Sequence, residues 1–102
     1  MKWHVLFRPE VESDVNEAAE WYESQQPGLG DQFREEIIRV FDDLAESPLL
    51  ACRRHPQKKI RWRYPDRFPY RVIYSVVEPR RTVIVAAVLH AARHERHWQQ
   101  RT

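Results

Sequence analysis

The sequence predicts an α+β fold in which a helical hairpin packs on one face of a mostly antiparallel sheet. Two observations support this prediction. Apolar residues recur at helical spacing through the first half of the chain, and hydrophobicity alternates with a period of two through much of the second half. Helices and strands therefore follow one another in the order β-α-α-β-β-β, which is typical of α+β layers. We expect one domain over residues 1–102, because a chain of this length supports one core.

The first half is predicted to form one strand and two helices. Residues 3–7 alternate and are rich in aromatic and β-branched side chains, which indicates a strand. Apolar side chains spaced i, i+4, i+7 and i+11 predict an amphipathic helix over 10–25. A turn that holds both glycines of the chain breaks this helix. A second helix is predicted from about residue 30 to 46, and Ser47-Pro48 ends it.

The second half is predicted to be mostly strand. Residues 48–57 contain two prolines and show no clear period, which indicates a loop. Alternation over 58–64 and over 70–77 predicts two strands with one apolar face each. Residues 82–89 are apolar on both faces, as in a central strand that is buried from two sides. We expect a short helix over 90–100 to close the fold.

Charge is divided unevenly along the chain. Residues 1–52 carry a net charge of −8, whereas residues 53–102 carry +10, and the whole chain has +2. Neutralisation between the halves explains part of this asymmetry, but the excess of cations also indicates a nucleic acid or an acidic protein as partner. No apolar run is long enough to span a membrane, and no secretory signal is evident. With a single cysteine, Cys52, an internal disulfide is excluded, and we expect a cytoplasmic protein.

Basic residues alternate with bulky apolar residues along the predicted strands. We expect four of the bulky residues to pack beneath the helices: Trp62, Tyr64, Val72 and Tyr74. The opposite face of the sheet would then present Arg61, Arg63 and Arg71, whose guanidinium groups suit bidentate binding of phosphate. The candidate nucleic-acid or partner-binding residues are Lys59, Arg61, Arg63, Arg67 and Arg96. A solvated sheet face, or pairing with the acidic helices, explains the same pattern without a ligand.

Three histidines at the end of the chain have helical spacing, at His90, His94 and His97. No carboxylate or cysteine clearly completes a metal-ligand set with them, so we expect neither a metal site nor a cofactor. His90 follows an apolar strand, where it suits proton transfer or a capping hydrogen bond. Any catalysis would rest on arginine and histidine. These residues suit metal-free cleavage of RNA, because the 2′-OH of RNA is an internal nucleophile.

Four segments of the chain, taken in order, resemble the RelE/ParE superfamily of type II toxin–antitoxin toxins, which are often labelled plasmid stabilisation proteins. The segments are EWYE at 20–23, QPGLG at 26–30, RFPYRVIY at 67–74 and VAAVLHAAR at 85–93. The resemblance covers nearly the whole chain and implies a helical hairpin packed on an antiparallel sheet. It also implies a cognate antitoxin as partner, in a toxin–antitoxin hetero-oligomer.

The superfamily divides by target. RelE-like members cut messenger RNA on the ribosome, whereas ParE-like members poison DNA gyrase. The resemblance implies a phosphate-contacting role for Arg71 in a nuclease, and His90 and Arg93 loosely match the catalytic position after the last strand. The nucleases tend to place a catalytic tyrosine near the C-terminus, and no tyrosine follows Tyr74 here. The resemblance therefore favours a ParE-like inhibitor of gyrase, with the ribosome-dependent nuclease as the alternative.

Overall fold

The computed structural model describes residues 2–92 and places two helices on one face of a mixed five-stranded sheet. The helices are α1 (Glu10–Gln25) and α2 (Leu29–Glu46). The strands are β1 (His4–Phe7), β2 (Arg53–Arg54), β3 (Arg61–Arg63), β4 (Tyr70–Val77) and β5 (Thr82–His90). A single 3-10 turn over Glu78–Arg80 joins the last two strands. The predicted α+β layer is confirmed.

The strand order in the sheet is β1-β5-β4-β3-β2. β1 runs parallel to β5, and the other three neighbouring pairs are antiparallel. β2 lies inside the segment 48–57 that was expected to be a loop, and its two residues are too few to show an alternation. The closing helix expected over 90–100 lies outside the described residues except at its start, where His90 belongs to β5 and residues 91–92 form a turn.

The turn between the helices depends on both glycines. Gly28 adopts a left-handed conformation with φ 89°, which costs glycine little. The carboxylate of Glu23 accepts hydrogen bonds from the backbone N–H groups of Gly28 and Gly30, each at 3.0 Å. A side chain at Gly30 would place its Cβ only 2.6 Å from the carbonyl oxygen of Ala19. The two helices therefore approach closely only because this position has no side chain.

The main core lies between the helices and the sheet. α2 contributes the fully buried side chains of Phe33, Ile37 and Leu44, which pack against residues of the two central strands. Those sheet residues are Val72, Tyr74, Val83, Val85 and Val88. A smaller buried cluster on the opposite face contains Ile60, Ile73, Ala87 and Leu89. β5 therefore contributes buried residues to both faces, as its sequence predicts.

The expected orientation of β3 is wrong. Trp62 pairs with Ile73 and packs in the cluster opposite the helices, whereas Arg61 pairs with Tyr74 and Arg63 pairs with Val72. Arg61 and Arg63 therefore lie on the helix side of the sheet. The predicted alternation along β3 is correct, but the faces are exchanged. A shift of one residue in the register of a strand moves each of its side chains to the opposite face of the sheet. Tyr64, also expected beneath the helices, is 40% exposed.

No helix among residues 2–92 has both the length and the apolar character needed to cross a membrane.

Candidate functional site

The register between β4 and β5 separates the two candidate catalytic residues that the structure describes. Tyr70 pairs with His90, and Arg71 pairs with Leu89. Because neighbouring residues of a strand point to opposite faces, His90 and Arg71 lie on different sides of the sheet. The rings of Tyr70 and His90 touch with centroids 5.3 Å apart, and Tyr70 packs against the main core. His90 is thus on the helix side, and Arg71 is on the side of Leu89 and Trp62.

His90 lines a cleft of about 640 Å³ between α1 and the ends of β4 and β5. Its Nδ1 accepts a hydrogen bond from the backbone N–H of Ala92 at 3.0 Å, so this nitrogen carries no proton and Nε2 carries the ring proton. A histidine that acts as a general acid is normally an imidazolium with both nitrogens protonated. Protonation of His90 would therefore break its bond to Ala92.

The same cleft contains aromatic and acidic side chains that are not among the candidates predicted from the sequence. Trp21 is 57% exposed although it is a large apolar residue, and its ring contacts Tyr22 at 5.1 Å between centroids. Burial raises the pKa of the Tyr22 phenol, and the neighbouring phenol of Tyr70 adds to this shift. Asp14 is buried at the back, where its Oδ2 accepts a hydrogen bond from the backbone N–H of Val88 at 3.0 Å. The sequence feature that could have indicated this cleft is the position of Trp21, a large aromatic residue that lies outside the apolar stripe of α1.

Arg71 is half-buried on the opposite face, where two aromatic residues hold its guanidinium group. Its Cζ lies 5.1 Å from the centroid of the Trp62 ring, within the range of a cation–π contact. Its Nε donates a hydrogen bond to the hydroxyl of Tyr64 at 3.2 Å. This geometry orients the guanidinium group. Among residues 2–92, no acceptor binds its two terminal nitrogens, which can therefore donate to an oxyanion.

Two of the predicted partner-binding arginines bind groups of the protein itself. Arg63 is 9% exposed, and its Nη2 donates to the carbonyl oxygens of Ser47 and Leu50 in the loop after α2. Arg67 forms an ion pair with the buried carboxylate of Glu36, with 2.5 Å between Nε and Oε2. The backbone N–H of Arg67 also donates to Glu36, at 3.0 Å. Neither residue lies beside Arg71 on the face opposite the helices, where Arg63 was expected.

Arg61 belongs to a small polar cluster on the helix side of β3. Its Nη1 lies 3.5 Å from Sγ of Cys52. Burial alone raises the pKa of the Cys52 thiol, but its contacts with Tyr74 and Arg61, together with the charges of Arg61 and Arg63, outweigh it and lower the pKa. Burial also raises the pKa of Tyr74 far above its usual value, and the contact with Cys52 adds to that shift.

Lys59 is exposed and lines the same edge of the sheet as Arg61. Arg93 and Arg96 lie outside the described residues, as do His94 and His97. Within residues 2–92, the structure brings together no three His, Cys, Asp or Glu side chains that could hold a metal ion. Apart from Arg63 and Arg67, the described candidates therefore lie in three places: the cleft of His90, the contact of Arg71 with Trp62 and Tyr64, and the basic edge with Lys59 and Arg61.

The chain matches the model of the ParE toxin of the type II toxin–antitoxin system parDE over residues 5–95. It is similar to the chromosomal ParDE system from P. aeruginosa, with 12% identity and a TM-score of 0.74 over 86% of this chain and 95% of that chain. No curated protein sequence matches the chain significantly.

Toxin–antitoxin structures of the RelBE type are also similar. The intact RelBE complex from E. coli has 20% identity and a TM-score of 0.67, over 89% of this chain and 99% of that chain. The RelBE2 complex from Mycobacterium tuberculosis has 18% identity and a TM-score of 0.62, over 88% and 99%. At such identities these likenesses show the fold alone.

The helical hairpin on a mixed sheet, together with these matches, defines a toxin of the RelE/ParE class from a type II toxin–antitoxin system. Within that class, the chain belongs to the family of the ParE toxin, whose model covers most of its length.

Proposed function

We propose that this chain inhibits growth by acting on DNA gyrase and that a cognate antitoxin neutralises it. One observation carries the choice of target: Arg71 and His90, the two described residues that RNA cleavage would use, lie on opposite faces of the sheet. The match to the ParE model supports the same choice, because the ParE-like branch is the one that the resemblance links to gyrase.

The separation matters because RNA cleavage is a reaction at a single phosphate. A proton-transfer group must come within hydrogen-bond reach of the reacting oxygens, and a donor must stabilise the charge on the same phosphate. The sheet lies between Arg71 and His90, which argues against a single phosphate that contacts both side chains. In addition, Nδ1 of His90 already accepts a hydrogen bond from the backbone N–H of Ala92.

Supercoiling by purified gyrase tests the proposal. Added chain is expected to block the supercoiling of relaxed plasmid and to trap cleaved DNA. Arg71→Ala and His90→Ala are expected to inhibit as strongly as the parent, because neither residue carries the activity. Ile37→Asp, which places a charge in the fully buried core, serves as the unfolded control. Unchanged supercoiling with a molar excess of folded parent chain would contradict the proposal.

The alternative target is messenger RNA on the ribosome, and the setting of Arg71 favours it. An arginine whose guanidinium group is oriented by Trp62 and Tyr64 is suited to bind a phosphate beside a stacked base. If the chain cuts messenger RNA on programmed ribosomes, Arg71→Ala should reduce the rate by about 10²–10³-fold, as for the loss of an oxyanion donor. The absence of cleavage on ribosomes, with gyrase inhibited, removes this alternative.

The antitoxin is expected to contact the basic half of the chain with an acidic segment. Among the described residues of that half, exposed cations cluster at Arg53, Arg54, Lys58 and Lys59. If these charges dominate the contact, affinity should fall steeply as salt is added, because screening weakens exposed charge pairs. A titration of the complex at several salt concentrations measures this. An affinity that does not change with salt would assign the contact to apolar residues instead.

A further inference from the structure

We propose that a groove at the β2–β3 edge of the sheet binds a phosphate monoester. The groove has a volume of about 430 Å³ and is lined by Arg54, Lys59 and Arg61, with Glu78 as its one carboxylate. Apolar side chains that include Leu49 and Val76 form the remaining wall. The inference goes beyond the toxin assignment and does not depend on which target the toxin has.

The central feature is a cross-strand pair of like charges. Arg54 of β2 lies directly opposite Arg61 of β3. Side chains opposite each other in an antiparallel pair share a face, with Cβ atoms about 5 Å apart, and like charges in this position are destabilising. Among the described residues, no carboxylate comes within 4.0 Å of either guanidinium group. An oxyanion bound between them would relieve this repulsion.

The third cation lies on a hairpin loop with an ordered backbone. The N–H of His55 donates to the carbonyl oxygen of Ile60 at 2.8 Å and closes the loop. Nδ1 of His55 then accepts hydrogen bonds from the N–H groups of Gln57 and Lys58, at 3.1 and 3.0 Å. Because these contacts fix the loop that carries Lys59, less ordering is needed when a ligand binds.

Charge and size select the ligand. Three cations and one carboxylate give the groove a net charge of +2, which matches the dianionic form of a phosphate monoester near neutral pH. An internal phosphodiester or a single side-chain carboxylate supplies only one negative charge. The apolar wall offers a surface for the organic part of the ligand, and the volume is within the range of small-molecule sites. A free mononucleotide and the phosphorylated end of a nucleic acid both carry this group.

Titration with adenosine 5′-monophosphate, monitored by calorimetry or NMR, tests the site. Adenosine, which lacks the phosphate, is the control ligand. We expect the monophosphate to bind and adenosine not to bind. Arg54→Ala and Lys59→Ala should each weaken binding by about tenfold, as for one charged hydrogen-bond partner. Arg53→Ala is the matched control, because this substitution removes the same charge from the same strand. Arg53 pairs with Trp62, whose side chain lies on the other face of the sheet, so Arg53 does not line the groove. It should change Kd by less than about twofold.

Oligonucleotides with a 5′-phosphate or a 5′-hydroxyl separate the two sources of the ligand. Tighter binding of the phosphorylated oligonucleotide than of the mononucleotide assigns the site to a nucleic-acid end, and the reverse assigns it to a free nucleotide. Three results would overturn the proposal: no binding of the monophosphate, equal losses for Arg53→Ala and Arg54→Ala, or equal binding of both oligonucleotides. None of these results affects the gyrase assay.

Discussion

Arg63 and Arg71 show how differently the two faces of this sheet use the same side chain. Arg63 lies on the helix side, where its buried guanidinium group donates to the carbonyl oxygens of Ser47 and Leu50. Arg71 lies on the opposite side, where its terminal nitrogens have no acceptor within the described part of the chain. The fold therefore uses one arginine as a structural donor and leaves the other available to bind a partner.

The difference follows from what each face must satisfy. The chain leaves α2 through a loop whose carbonyl groups turn towards the sheet, and buried carbonyls need donors. Arg63 supplies two donor contacts, and the hydroxyl of the buried Tyr74 donates to the carbonyl oxygen of Pro48 at 2.6 Å. On the opposite face, the buried cluster of the described residues is apolar and includes Ile73 and Leu89. The comparison predicts which substitutions affect stability and which affect only binding.

The largest expected effect on stability is at Arg63. Arg63→Ala should lower the free energy of unfolding by about 3 kcal/mol, because two loop carbonyls lose their donor and a cavity forms in place of the side chain. Arg71→Ala removes the same kind of side chain from the other face and should cost less than about 0.5 kcal/mol. Urea denaturation of both variants measures the difference. Similar losses in the two variants would show that the faces do not differ in this way.

A smaller loss is expected at Glu36, which is 5% exposed and binds both the side chain and the backbone of Arg67. Glu36→Ala should cost about 1–2 kcal/mol, because the exposed side chain of Arg67 limits the strength of the ion pair. Glu35→Ala, at the exposed neighbouring position of α2, is the matched control. Equal stability of the two variants would show that the contacts of Glu36 with Arg67 do not stabilise the fold.

Tyr74→Phe should cost about 1 kcal/mol at neutral pH, the value of one hydrogen bond. Because burial raises the pKa of the Tyr74 phenol, the folded chain holds this proton more tightly than the unfolded chain. The resulting stability is complete below the unfolded phenol pKa of about 10 and is lost as the pH rises above it. Stability of the parent should therefore decline more steeply above about pH 10 than stability of Tyr74→Phe. Parallel pH profiles would contradict this assignment.

The smallest effect has the opposite sign. Arg54→Ala removes one of two like charges that face each other across β2 and β3, and it should stabilise the free chain by about 0.5 kcal/mol. Arg53→Ala relieves no such pair and should leave stability unchanged. Thermal unfolding without phosphate in the buffer compares the two variants. A loss of stability in Arg54→Ala would mean that this arginine supports the fold.

Local sequence patterns predicted most of the fold. The apolar stripes gave both helices to within one residue, and the residues of β5 that are apolar on both faces belong to two separate clusters. The orientation of β3 was not predictable in the same way. Alternation of Arg61, Trp62 and Arg63 defines two faces, but it does not say which face turns inward. The acceptors that draw Arg63 inward are loop carbonyls, which come together only when the chain has folded.

The relative placement of the candidate site residues was not predictable from the sequence, for a related reason. Residue type and family resemblance identify Arg71 and His90 separately. Neither of them predicts the register in which the strands of these two residues pair. The register between β4 and β5 also shifts between Ile73 and Tyr74, and no sequence pattern predicted this irregularity. Only the paired strands reveal that these two side chains point to opposite faces.

The most direct test of the gyrase-directed assignment is made in cells. The chain is induced alone, and incorporation of labelled thymidine and labelled amino acids is followed over the first minutes. We predict that DNA synthesis stops first, with a DNA-damage response, and that the double variant Arg71→Ala/His90→Ala behaves like the parent. Protein synthesis that collapses first in the parent, and continues in the double variant, would contradict the account and assign the chain to the ribosome.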